Sequence, residues 1–144
     1  IVSKMRTHFN PKNNPRVIII QKLYSKFYNE NNDLEFPKHR FKKFIKDIVL
    51  GTIERNDLIL DELNKKLGDK FIFKNLDKVF QTILIAATYE LMYKPNTSIN
   101  IIIKEYLNSS NFFLEDSQTK YLNALLDNVG KKLRSNDAWI WINK

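Results

Sequence analysis

Apolar residues between positions 41 and 53 recur every three or four residues, which constrains the fold more than any other feature of this sequence. The chain has only three Gly and four Pro among 144 residues, too few turn residues for a β-sandwich or a β-barrel. The spacing is that of one face of an α-helix. We therefore predict an all-α fold. The residues of this stripe are Phe41, Phe44, Ile45, Ile48, Val49, Thr52 and Ile53.

Further helical segments are bounded by start and stop signals. Asn14 followed by Pro15 predicts the start of a first helix that runs to about residue 29. A second helix should start around Phe36-Pro37 and continue, either broken or bent near Asn56, to a stop at Gly68.

The second half of the chain predicts three more helices. Asn75 and Ser98 are candidate caps for helices over about 76–94 and 99–107. Residues 83–88 are apolar or small on every side, so we expect the first of these helices to be central. A last long helix is expected over 117–133.

No linker or repeat divides the chain, so we predict one domain over residues 1–144. Residues 1–14 read as a flexible basic arm. Residues 135–144, with Trp139 and Trp141, are expected to form either a short docked helix or an exposed tail.

The positive charge is concentrated in the first third. Residues 1–46 contain 11 basic residues (Lys and Arg) but only three acidic ones, whereas residues 47–144 contain 13 basic and 13 acidic residues. The formal net charge of the chain is +8. A localised basic region is typical of a nucleic-acid-binding protein. A basic surface that serves solubility, or one that rests on anionic lipid, is the alternative.

Few residues could support catalysis or metal binding. The chain has no Cys and two His, which argues against a zinc site or a Cys/His nucleophile. His39 fits a solvated basic turn, and the cluster Asp57, Asp61 and Glu62 fits a solvated helix face. We therefore expect no enzyme activity, no cofactor and no metal. No apolar run approaches the ~20 residues of a membrane span, so a cytoplasmic protein is the default expectation.

Short stretches along most of the chain share an order and spacing that is typical of one protein family. They are Arg16, Gln21, Leu23, Tyr24 and Ser25; Phe44, Gly51 and Thr52; Ile83, Leu84, Ala87 and Tyr89-Glu90-Leu91; Ile103 and Glu105; and Lys120 to Asp127. Over about residues 15–134 these stretches resemble the NusB family of transcription antitermination factors.

This resemblance implies a compact bundle of about seven helices, built as two three-helix halves packed together. It also implies antitermination and maturation of ribosomal RNA within the transcription elongation complex. The implied partners are ribosomal protein NusE and single-stranded boxA-type RNA.

Five residues match the family's RNA face: Lys12, Arg16, Tyr24, Lys120 and Tyr121. The cations would contact phosphates, and the tyrosine rings would stack on bases. Plain core packing is the alternative for both tyrosines. The Arg-rich run that family members often carry before the first helix is reduced here to Lys12 and Arg16, so RNA affinity or sequence preference is expected to differ.

Two other functions stay open at this point. The chain could be the RNA-docking domain of a ribosomal RNA cytosine methyltransferase, because such enzymes carry a NusB-like domain. It could also be a purely protein-binding bundle whose basic face is incidental. A homodimer that covers the RNA face is a further expectation from some family members.

Overall fold

The computed structural model describes residues 13–29 and 33–134. Lys12, most of the predicted arm and the whole predicted tail with its two tryptophans lie outside the described residues. The described part contains helices and no strand, so the predicted all-α fold is confirmed. It contains six helices rather than about seven: α1 (Pro15–Tyr28), α2 (Lys42–Glu54), α3 (Asn56–Leu67), α4 (Lys78–Tyr93), α5 (Ile99–Ser110) and α6 (Asp116–Leu133).

Two of the predicted helix caps are confirmed. The side-chain oxygen of Asn14 accepts hydrogen bonds from the backbone N–H groups of Arg16 and Val17 at the start of α1. The hydroxyl of Ser98 accepts the N–H of Ile101 at the start of α5. Each cap satisfies N–H groups that have no partner within the helix.

The second helix starts later than predicted, at Lys42 rather than near Pro37. The imidazole Nδ1 of His39 accepts the backbone N–H of Phe41 at 2.9 Å, and the carbonyl of His39 accepts the N–H of Lys42. Phe36 packs against the core from the preceding loop. These local bonds hold residues 39–41 in a turn, so the helix starts only after it.

The prediction that Asn75 caps the central helix is wrong. Asn75 ends a short 3-10 turn over Phe73–Asn75, and α4 begins at Lys78. The reason lies one turn inside the helix, where the side-chain amide of Gln81 donates to the carbonyls of Phe73 and Leu76, both at 3.0 Å. These bonds hold the backbone before α4 in an extended conformation.

Helix α4 is the centre of the molecule, as its apolar middle predicts. Every residue from Phe80 to Met92 is buried, and α4 contacts each of the other five helices. Helices α4, α5 and α6 also contact one another, and α1 packs against α2. None of the helices within the described ranges is long and apolar enough to cross a membrane.

Candidate nucleic-acid interface

Tyr24 lies at the surface of α1 rather than in the core. Its side chain is 37% exposed, and its ring lies 5.2 Å from the ring of Tyr28, one turn further along. The hydroxyl of Tyr28 donates to the side-chain oxygen of Gln81 in α4. The ammonium group of Lys78 lies 5.4 Å from the centre of the Tyr28 ring. The exposed Tyr24, the half-buried Tyr28 and the exposed Lys78 therefore form one aromatic and cationic cluster.

Tyr121 in α6 is also exposed, at 46%, with its ring stacked on that of Phe80 at 5.5 Å. Lys120, next to it in the chain, is exposed as well. Tyr28 contacts Lys78 and Tyr121 contacts Phe80, so the two groups flank the first turn of α4. We call Tyr24, Tyr28, Lys78, Lys120 and Tyr121 together the tyrosine face.

Arg16 lies elsewhere, in an ion pair with Glu90 inside the bundle. Its Nε donates to Oε2 of Glu90 at 3.0 Å and its Nη2 to Oε1 at 2.6 Å. The guanidinium also lies 5.0 Å from the ring of Phe44 and 5.4 Å from that of Tyr106. The Arg16 side chain is only 12% exposed and that of Glu90 only 1%.

Glu90 organises this cluster electrostatically. Burial alone would lower the pKa of Arg16, but the hydrogen bond and charge of Glu90 raise it above its ordinary value. Burial and the neighbouring Glu90 carboxylate raise the pKa of Tyr106 well above its usual range. Tyr106 therefore stays neutral, and its hydroxyl donates a hydrogen bond to the Glu90 carboxylate. The cluster ties the start of α1 to α4 and α5.

Three of the five predicted RNA-binding residues, Tyr24, Lys120 and Tyr121, are exposed in the structure. Tyr24 is linked to the first turn of α4 through Tyr28, and Tyr121 is linked to it through Phe80. Arg16 precedes Tyr24 by eight residues, which is about 12 Å along the helix axis. Its contact with phosphate stays a prediction, and Lys12 lies outside the described residues.

Sequence reasoning missed two members of the tyrosine face. Tyr28 follows Tyr24 by four residues, and this spacing alone places both rings on one side of α1. Lys78 has no such signal, because its contact with Tyr28 joins residues 50 positions apart.

The acidic cluster in α3 behaves mainly as a helix surface. Asp61 pairs with Lys65 at 2.9 Å, and Glu62 lies 3.6 Å from Lys66. Glu62 is nevertheless buried, which corrects the expectation that the whole cluster is solvated. Among the residues that the structure describes, no group of three or more His, Cys, Asp or Glu could hold a metal ion.

Comparison with known proteins gives one family at the level of sequence. Residues 12–131 match the family model described as the NusB family. The chain is 33% identical over 105 residues to the transcription antitermination protein NusB of Novosphingobium aromaticivorans. The aligned region covers 73% of this chain and 70% of that protein. The NusB protein of Maricaulis maris is 27% identical over 116 residues, covering 72% of each chain.

A solved structure of T. maritima NusB has a similar fold. It superimposes with a TM-score of 0.74 over 91% of this chain and 98% of that one. At 20% sequence identity, this likeness concerns the fold.

Proposed function

Because this chain belongs to the NusB family, whose members are named for transcription antitermination, we propose that it binds single-stranded RNA at the tyrosine face. The RNA is a boxA-like element of ribosomal RNA transcripts. The second partner is ribosomal protein NusE, and the assembly acts in the transcription elongation complex. The protein contributes binding rather than catalysis.

The observation that supports this proposal best is the exposure of Tyr24 and Tyr121 beside lysines. Aromatic rings at a protein surface offer stacking surfaces to unpaired bases, and each stacked base contributes about 1–3 kcal/mol. Lys78 lies against the Tyr28 ring, and Lys120 adjoins Tyr121 in the chain. These cations are suited to contact the phosphates on either side of a stacked base.

Lys12 and Arg16 complete the proposed site where the strand passes the start of α1. Their role is to neutralise phosphates, and neither has an aromatic ring to stack on a base. Arg16 would use the 12% of its side chain that faces solvent, because the rest is engaged by Glu90 and two rings. We therefore expect Arg16 to contribute less to affinity than the tyrosines.

A binding titration tests the proposal directly. A boxA-like RNA and a scrambled RNA are titrated with and without NusE at two salt concentrations. We expect tighter binding of the boxA-like RNA when NusE is present. Equal binding of both RNAs under all conditions would leave only a basic helical bundle and contradict the proposal.

The tyrosine face has its own test in the variant Tyr121→Ala. Loss of one stacking surface should weaken boxA binding by about 1–3 kcal/mol. Leu58→Ala is the matched control, since Leu58 is an exposed apolar residue of α3. Wild-type affinity in a folded Tyr121→Ala variant would remove this ring from the site.

Self-association is a competing use of the same face. If a homodimer covers the tyrosine face, adding RNA should shift the protein from dimer to monomer in sedimentation velocity. A sedimentation coefficient that shows a dimer bound to RNA would place the dimer contact elsewhere.

A further inference from the structure

The outer face of α2 carries a second basic surface, separate from the tyrosine face. Arg40, Lys43, Asp47 and Leu50 are spaced by three or four residues, so they share one side of the helix and of the turn before it. Lys46 adjoins this stripe. All five side chains are exposed.

The lysines of this stripe are available to a ligand. Asp47 pairs with Lys94 at the end of α4, with 2.5 Å between Nζ and Oδ2. Within residues 13–29 and 33–134, no carboxylate forms an ion pair with Lys43 or Lys46. Lys43 and Lys46 therefore have no direct ion-pair partner in the described part of the protein, although Asp47 lines the same groove.

Two open grooves run along this face and join. One, of about 440 Å³, is lined by Arg40, Phe41, Lys43, Phe44 and Asp47. The other, of about 470 Å³, shares Lys43 and Asp47 with the first and extends past Lys46 and Glu54 to Arg55 and Tyr89. From Arg40 to Arg55 the combined groove, which we call the α2 groove, extends about 20 Å.

An exposed ring lies at one end of the α2 groove. Phe41 is 40% exposed, and the guanidinium of Arg40 lies 5.2 Å from the centre of its ring. Phe44, at the same end, contacts Arg16 at the start of α1. The α2 groove therefore begins where the proposed RNA path along α1 begins.

We propose that the α2 groove binds the backbone of a single-stranded RNA segment that flanks the element held at the tyrosine face. This inference rests on the proposed function. Lys43 and Lys46 contact successive phosphates, and a base stacks on Phe41. A linear array of cations with an exposed ring suits an extended polyanion that carries bases. Lysine contacts to phosphate carry no sequence information, so we expect binding here to be independent of sequence.

The test compares two RNAs on the full chain with NusE present. One contains only the boxA-like element, and the other carries in addition about ten unpaired nucleotides of unrelated sequence at each of its two ends. We expect wild-type protein to bind the extended RNA more tightly than the short one. In the double variant Lys43→Ala/Lys46→Ala this gain should disappear, while binding of the short RNA stays at the wild-type level.

The salt dependence gives a quantitative readout. Each phosphate contact to a single strand contributes about 0.7 to the slope of log K against log salt, so the slope for the extended RNA should fall by about 1.4. The control Lys65→Ala/Lys131→Ala removes the same charge from exposed lysines of α3 and α6. It should keep the wild-type slope.

Phe41→Ala should weaken binding of the extended RNA about fivefold or more.

Several outcomes would overturn the proposal. The α2 groove is not an RNA site if the extension adds no affinity in the wild type, or if the double variant keeps the wild-type slope. Stronger competition by polyglutamate than by unrelated single-stranded RNA of equal charge would assign the groove to an acidic protein. Failure of the short RNA to bind would instead contradict the proposed function, so the two failures are distinguishable.

Discussion

At the scale of single residues, the ion pair of Arg16 with Glu90 joins chain segments 74 positions apart. Burying such a pair removes both charges from water, and this cost offsets much of their attraction. The geometry here is favourable, because two hydrogen bonds from the guanidinium and one from the Tyr106 hydroxyl all reach the same carboxylate. The pair therefore fixes the position of α1 more than it adds to stability.

Glu90→Gln should destabilise the protein by about 3–5 kcal/mol, because it leaves the Arg16 charge buried without a counter-charge. Urea denaturation would show this as a lower midpoint with an unchanged m-value. The double variant Glu90→Gln/Arg16→Met removes both charges and should recover part of the loss. If Glu90→Gln alone is as stable as the wild type, water solvates the charge of the Arg16 guanidinium in place of the carboxylate.

Gly51 is a second residue whose role depends on a distant contact. A Cβ at this position would overlap the hydroxyl end of the Tyr89 ring, which is buried in α4. Gly51→Ala should therefore destabilise the protein by about 1–2 kcal/mol, because overpacking outweighs the better helix propensity of Ala. Thermal unfolding measures the effect.

Gly130→Ala is the control for Gly51→Ala. A Cβ at position 130 would lie 3.1 Å from the Cγ2 methyl group of Ile99, which is a tight contact but not the overlap found at Gly51. A change of less than about 1 kcal/mol is expected there. Equal effects of the two substitutions would contradict the role of Tyr89.

At the scale of helices, the sequence predicts best where signals are local. Asn14 and Ser98 cap their helices through bonds to residues two or three positions away, and such bonds depend only on neighbours in the chain. The start of α4 is predicted wrongly, because the side chain of Gln81 reaches back from inside the helix to carbonyls before it. A cap-based prediction has no means of detecting that contact.

In the candidate site, too, the features set by local sequence could be predicted and those set by contacts between helices could not. Exposure of Tyr24 could not be predicted from its stripe, because Ile20 and Leu23 beside it are buried. Helix periodicity shows which side of α1 carries Tyr24, but it does not show whether a neighbouring helix extends far enough to cover that ring. The pairs Tyr28–Lys78 and Tyr121–Phe80 join different helices, so only the packed structure shows them.

The C-terminal end of α4 is held by a single side chain from the end of α6. Nε of Arg134 donates to the carbonyl of Leu91 at 2.6 Å, and its two terminal nitrogens donate to the carbonyls of Thr97 and Lys94 at 2.9 Å. The last carbonyls of a helix lack partners within the helix, and a cation there is also favoured by the helix dipole. Burial lowers the pKa of Arg134 from its ordinary value, yet an arginine remains charged at neutral pH.

Arg134→Ala should destabilise the protein by about 1.5–3 kcal/mol, the range for hydrogen bonds to a charged group. Hydrogen exchange should accelerate first in the last turn of α4 and in residues 94–98. The control Lys131→Ala removes the same charge from an exposed pair with Asp127 and should change stability by under about 1 kcal/mol. Unchanged exchange at the end of α4 would contradict this capping role.

At the scale of the whole molecule, the described cations of the first third lie on at least two surfaces. Lys22 lines a pocket between α1 and the turn before α2 together with Lys38 and Lys42, whereas Lys43 and Lys46 line the α2 groove. Helices α1 and α2 pack against each other. A single strand of RNA that follows both surfaces would meet cations along its length. Total charge alone could not distinguish this arrangement from one compact patch.

Because α4 contacts all five other helices, we predict that the bundle unfolds as one cooperative unit. Leu84, which is fully buried in α4, is suited to test this. Leu84→Ala should cost about 3–5 kcal/mol, since it removes buried apolar contacts and leaves a cavity. Native-state hydrogen exchange should show similar losses of protection in all six helices, because opening of α4 exposes its neighbours together.

The exposed Leu58 of α3 provides the control, and Leu58→Ala should leave protection nearly unchanged. The informative comparison is between α1–α3 and α5–α6 in the Leu84→Ala variant. If α5 and α6 kept wild-type protection while α1–α3 lost it, the two halves would open independently. The tyrosine face combines side chains from α1, α4 and α6, so independent opening would also disrupt RNA binding before global unfolding. Cooperative opening instead keeps the face intact up to the unfolding transition, because α4 holds both flanking helices until it unfolds.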